Sequence, residues 1–269
     1  MRKLSSVVPA LILSFSVSLS AQTGTAHASS VAPLLPTSFL EDKQQSAVVV
    51  PSHTVLKVPQ RYLARQVERS DNRVLIHTPA IRQHPELRDG CEVTSLAMLL
   101  QAVGQPGDKM KLAHEVRKDP TPVRRDARGR IVFWGDPKVG FVGAVDGKPI
   151  GFGVYHAPIA DLLNQYLPGQ AHDMTGQSFQ QVLARVAEGK PVVVWTTVPL
   201  RAPDYWDTWD SPTGRVRTTW NEHAVLLVGY GPDCVYINDP FDGTKAKRVE
   251  RARFEQSWIA MGMQAVTVR

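Results

Sequence analysis

The feature that most constrains this chain is a helical stripe that opens on a cysteine and precedes most of the β-rich sequence. From Cys91 to Val103, residues Val93, Leu96, Ala97, Leu100 and Val103 recur on one helical face, and Gly104 supplies a stop. Asp89 stands just ahead as a candidate cap. Pro158 suits the first turn of a helix that ends before Pro168. Ser178 with Gln181 is a capping-box pattern that opens a helix over Phe179 to Ala187, closed by Gly189. An early strand is read over Val74 to Ile81. Later β-rich runs follow at Pro191 to Val198, His223 to Tyr230, Val235 to Asn238 and Gln264 to Val268. Helices first and strands later predict an α+β fold with a largely antiparallel sheet.

The start of the chain reads differently. Arg2 and Lys3 precede an apolar, serine-dotted run from Leu4 to about Leu19, and Ala26-His27-Ala28 follows as a small-x-small cleavage pattern. Residues 1–28 are therefore expected to be a signal peptide and the protein to be exported to the cell surface or medium. An uncleaved membrane anchor is the competing reading. The run carries Pro9 and several serines and is short for a bilayer span, and no later stretch is long and apolar enough for one. Residues 29–71, rich in Ser, Pro, Val and charge, read as a linker or N-terminal arm, and 72–269 as the compact domain. Val55-Leu56-Lys57-Val58-Pro59 resembles Val74 to Pro79, which makes the arm a candidate for an edge strand.

Losing Arg2 and Lys3 takes the net charge from +6 to +4, a mildly basic balance that suits contact with anionic cell-wall polymers or lipid surfaces. Lys/Arg runs and aromatic-interleaved basic patches are missing, so a nucleic-acid partner is not expected. Arg124-Arg125 and Lys247-Arg248 read as ordinary surface. Neither metal-ligand spacing nor a phosphate-cradling glycine loop is present, and neither metal nor cofactor is expected.

The chemistry-bearing residues sit at element ends. A thiol at a helix N-terminus is favoured as thiolate by the unpaired backbone N–H groups there. His223 heads a clean apolar strand, and of the eight histidines it alone has that context. His156, after the glycine-rich 151–155 segment, is a weaker candidate for the same cleft. Asp239 ends the next strand. Asn238 is its rival as the residue that orients the histidine, but the two face opposite sides of the strand. Cys91 and Cys234 are the only cysteines, so an exported chain invites a disulfide between them. Strand alternation turns Cys234 away from Asp239, and ~16 Å of strand separates the two at ~3.3 Å per residue. Cys234 is thus read as a small buried hydrophobe. Glu92 would oppose a thiolate if its carboxylate shared the side of Cys91. As an early-turn acid it is expected to complement the helix dipole and face elsewhere. Trp206, Trp209 and Trp220 lie in what reads as a loop, either walling a substrate site or packing onto the core.

The stretch Gln83-His84-Pro85-Glu86-Leu87-Arg88-Asp89-Gly90-Cys91-Glu92-Val93-Thr94-Ser95-Leu96 resembles the Gln…Gly-Cys-Glu helix start of secreted bacterial proteins with a papain-like fold. These are related to the double-glycine bacteriocin-leader peptidases of transporters. The resemblance continues through Gly135-Asp136-Pro137, Gly151-Phe152-Gly153-Val154-Tyr155, Glu222-His223-Ala224-Val225-Leu226-Leu227-Val228-Gly229-Tyr230 and Val235-Tyr236-Ile237-Asn238-Asp239-Pro240, covering nearly all of 72–269. It implies a papain-like α+β fold, with the cysteine helix packed on a mainly antiparallel sheet that carries the histidine and aspartate. It further implies Cys91 as nucleophile, His223 as general base and acid, Asp239 as orienting carboxylate and Gln83 as oxyanion donor. Gln83 lies eight residues before Cys91, so the loop between them must fold back. The expected activity is hydrolysis of a peptide or protein substrate. The alternatives are a catalytically silent peptide- or wall-binding module of the same fold, and an acyl transferase using the same groups.

Overall fold

The computed structural model describes residues 67–269; the expected signal peptide, most of the arm and its Val55–Pro59 segment lie outside them. The central element is helix α1, Cys91–Ala102, one residue shorter than read, with Gly104 at φ 76° beyond its end. The predicted stripe is buried, but so is the rest of the helix from Cys91 to Leu100. Its polar members are satisfied locally: Thr94 Oγ1 donates to Gly90 O at 2.7 Å, and Ser95 Oγ to Ala224 O at 3.2 Å. The helix is therefore a core element covered all round, not a surface helix with one apolar face. Its cap is Gly90 without a side-chain bond; Asp89 does not cap, lying instead 3.5 Å from Arg88 Nε.

The main sheet is antiparallel at every pairing. Its path runs β1 (Val67–Ser70), β2 (Arg73–Ile76), β12 (Glu222–Tyr230), β9 (Val192–Thr197), β15 (Ala265–Val268) and β8 (Ala171–Asp173). β12 also pairs with β13 (Cys234–Asp239), which carries β14 (Thr244–Glu250). β9 is buried throughout and β12 almost so, as strands covered on both faces should be. The strand read over Val74 to Ile81 is shorter, ending at Ile76, and β1 extends the sheet edge upstream of Asn72.

Helix α1 packs on β12 and β9, with α2 (Lys109–Glu115) and α3 (His156–Tyr166) against it. α4 (Phe179–Ala187) covers β12, β2 and β9, and α5 (Arg251–Ala260) covers β9, β13 and β14. The Ser178–Gln181 capping box forms at the start of α4 with both reciprocal bonds. Two small sheets complete the domain. One joins β3 (Lys118–Asp119), β6 (Phe141–Gly143) and β7 (Gly151–Gly153); the other runs β11 (Gly214–Thr218), β10 (Asp207–Ser211), β5 (Ile131–Phe133) and β4 (Arg124–Arg125). The β10–β11 hairpin stands where the sequence reads as loop. Trp209 and Val216 face each other across it and are both buried. The expected α+β class with a mainly antiparallel sheet is what is observed.

Candidate active site

Three elements converge on one cleft of about 330 Å³ whose wall includes Gln83, Asp89, Cys91, Glu222, His223 and Phe241. α1 brings Cys91 by its first residue, β12 brings His223, and β13 ends beside it with Asp239. β12 packs on α1, so Ala224 N, one residue past His223, donates to Cys91 Sγ at 3.3 Å. His223 Nε2 and Asp239 Oδ1 are 2.8 Å apart, both residues buried. This bond leaves Nδ1 as the imidazole's other nitrogen. Among the described residues no hydrogen bond joins Cys91 Sγ to His223.

Asp239 is held from both sides. Its Oδ1 also accepts from Phe241 N at 3.1 Å, and its Oδ2 takes Lys247 Nζ at 2.8 Å. Burial works against charge on this carboxyl, but the bonds from His223 and Lys247 outweigh it and hold Asp239 below the usual carboxylate range. Lys247, which by sequence reads as ordinary surface, is instead the second partner of Asp239. Asn238 faces away, as alternation requires. Its Nδ2 donates to Thr78 O and Pro79 O, and its Oδ1 accepts from Ala246 N. It pins the β2–α1 loop, leaving the imidazole to Asp239.

Gln83 reaches the cleft because its loop does fold back. Gln83 N donates to Pro240 O at 2.8 Å, tying it to the residue after Asp239, and Leu87 N donates to Gln83 O at 3.0 Å. Its Nε2 donates to Arg88 O at 2.7 Å. An amide nitrogen carries two hydrogens, so one donor remains for another acceptor.

Glu92 is the main departure from the sequence reading. It does not face elsewhere: it is fully buried, with Oε2 3.5 Å from Cys91 Sγ and Oε1 accepting from Val154 N at 2.6 Å. Glu222, just before His223, is buried beside it, and its Oε1 has no hydrogen-bond partner. A Cβ on Gly153 would stand 2.4 Å from Glu92 Oε1 and 3.2 Å from Glu222 Oε2, so a glycine is needed where this segment passes the two acids. Burial pushes Glu92 up to about 8, and burial with the neighbouring Glu92 and Asp89 pushes Glu222 well above its ordinary value. Burial, and the same two glutamates when they carry charge, also push the Cys91 thiol up, against the lowering expected from the helix terminus. The Glu92/Glu222 pair escaped the sequence reading because strand and helix periodicity assign faces within an element, not neighbours across two.

Cys234 is a free, buried thiol at the far end of β13, and Cys91 is free as well. His156 opens α3 and pairs through Nδ1 with Asp173 at 2.6 Å; it lines a separate cavity with Lys138 and Arg217, away from Cys91. Of the three tryptophans, Trp209 is buried against Phe152 and Trp134. Trp220 is exposed and borders both the Cys91 cleft and an adjoining groove of about 660 Å³ that Trp206 and Trp209 also line. The groove thus continues the cleft along an aromatic wall.

Comparison with known proteins agrees with this architecture. Residues 75–266 match the Peptidase_C39 like family. The Bacillus subtilis (strain 168) protein YvpB, itself uncharacterized, is 40% identical over 185 residues, covering 69% of this chain and 71% of that one. A crystal structure of a Bacillus anthracis protein assigned to the C39-like peptidases superposes with a TM-score of 0.67 at 41% identity, covering 74% of this chain and 98% of that one.

Proposed function

Because the chain belongs to the Peptidase_C39 like family and has its papain-like α+β fold, we propose that it is an exported cysteine peptidase working through Cys91, His223 and Asp239. His223 Nδ1 takes the thiol proton, and the sulfur attacks the scissile carbonyl. The oxyanion is held by the Gln83 side-chain N–H not engaged with Arg88 and by the Cys91 backbone N–H. Collapse expels the amine, which His223 protonates, leaving a thioester. A water deprotonated by His223 then releases the acid and regenerates the thiol. Asp239 holds the imidazole by Nε2 throughout, and Lys247 holds Asp239. Export rests on the charged, then apolar, start of the chain, and the mildly basic mature sequence suits an anionic wall surface.

The observation that carries the reading is the 2.8 Å His223–Asp239 bond in a cleft whose wall also holds Cys91 and Gln83. The bond between sulfur and imidazole is not formed here, and catalytic hydrogen bonds commonly tighten only when substrate arrives. The test is a peptide vinyl-sulfone probe followed by mass spectrometry: a peptidase is modified at Cys91. One observation favours a binding module of the same fold, namely that the surroundings of Cys91 push its thiol up. That reading predicts an unmodified Cys91. Gln83→Ala is expected to lower kcat about 10²- to 10³-fold, the usual loss for one oxyanion donor. Steady-state turnover of a fluorogenic peptide measures it, and an unchanged kcat removes Gln83 from the oxyanion site.

A further inference from the structure

The peptidase reading leaves unused the two buried acids that flank the nucleophile. One ligand-type atom from each of Cys91, Glu92 and Glu222 lies within 4.8 Å of the others. Among the described residues no ion pair reaches either glutamate. The titratable groups facing Glu92 are Cys91 and Asp89 at its own end of α1, Glu222 on β12, and Tyr155 beyond β7. None of these is a lysine or arginine. Two carboxylates this close, both buried and with no lysine or arginine against them, do not both ionise near neutrality.

The hydrogen bond at Val154 decides where a proton on Glu92 sits. Val154 N–H donates to Oε1 at 2.6 Å, so Oε1 is an acceptor. The remaining oxygen, Oε2, is the one 3.5 Å from Cys91 Sγ. We propose that Glu92 serves as a neutral carboxylic acid whose Oε2–H donates to the Cys91 sulfur, a further catalytic group at the nucleophile. This rests on Cys91 being the nucleophile.

The proton inventory is simple. One proton moves from sulfur to His223 Nδ1, and the resulting thiolate is met by two donors, Ala224 N–H and Glu92 O–H. The carboxyl proton stays on Glu92 throughout. Burial, which pushes Glu92 up to about 8, keeps it protonated at neutral pH. Above that, its ionisation replaces a donor with a like charge beside the sulfur.

The test is the rate of iodoacetamide alkylation of Cys91 from pH 5 to 10 in the full chain, read by mass spectrometry on the Cys91 peptide so that Cys234 is counted apart. Glu92→Gln keeps a donor in place, because Val154 N–H fixes the amide oxygen at the Oε1 position and turns the NH₂ toward sulfur. It is expected to react within about threefold of wild type at pH 7 and to outrun wild type above pH 8, since it has nothing to ionise. Glu92→Leu removes the donor and is expected to react about tenfold or more slowly at pH 7, as for loss of a hydrogen bond to a charged group. A Leu variant that reacts as fast as wild type overturns the proposal. So does a Gln variant that tracks wild type above pH 8, and this second result decides alone if the Leu variant does not fold. Alkylation needs no turnover, so the two readings separate: a sulfur inert in every form sinks both, whereas a reactive sulfur indifferent to residue 92 sinks only the role of Glu92.

Discussion

Cys91→Ala is expected to abolish peptide turnover, a loss on the order of 10⁶-fold in kcat, as when the nucleophile of a triad that acts as a unit is removed. No second thiol can substitute, because Cys234 lies at the opposite end of β13 from Asp239. The change is small in volume and leaves the Glu92–Val154 bond in place, so folding survives it. Turnover of a fluorogenic peptide, alongside a thermal melt to establish that the variant is folded, measures the effect. Undiminished activity would assign the chemistry to another group and end the cysteine-peptidase reading.

The second large effect is at Asp239. Its two oxygens separately hold the imidazole and Lys247, so Asp239→Ala frees His223 to rotate and leaves a cation beside it with no anion between them. Activity is expected to fall about 10³- to 10⁴-fold, in line with loss of the orienting member of a triad. Asp239→Asn keeps an acceptor for the ring but loses the charge, and should fall between wild type and Ala. A graded series of this kind separates orientation from electrostatics, and equal activity in all three forms refutes the assignment. The carboxyl is held below its ordinary range, so its contribution to folding is present above the unfolded value of about 3.9 and is lost as pH falls beneath it. The Ala variant should therefore be less stable than wild type at neutral pH and converge with it in strong acid.

How much of this was legible in the sequence varies with the physics involved. Helix α4 could be read to the residue, because Ser178, Gln181 and Gly189 are local signals and the fold uses all of them. β12 and β9 were legible as unbroken apolar runs. Alternation along β13 correctly separated Asp239 from Asn238 and Cys234. Local rules failed where the partner is remote. Asp89 has the residue type of a cap, yet it packs beside the Gly147 and Gly151 backbones, while Gly90 takes the cap position bare. Glu92 has the residue type of a dipole-complementing acid, but α1 is enclosed on all sides, so no solvent-facing option exists for it. Lys247 is indistinguishable from a surface cation until β14 folds beside β13. The β10–β11 hairpin carried its turn signal in Ser211-Pro212-Thr213-Gly214, and the polar residues around it masked the alternation that buries Trp209 and Val216.

The paired glutamates also shape how the domain answers its surroundings. Each ionises near 4.5 once the chain unfolds, whereas the native state retains both protons to much higher pH. Folding thus takes up hydrogen ions across that interval. The benefit is complete below about 4.5 and erodes as the medium turns alkaline through about 8, the reverse of the trend set by Asp239. Melting should occur at a higher temperature at pH 5.5 than at pH 7.5, and Glu92→Gln should flatten that slope. A domain built this way is firmest in mildly acidic settings.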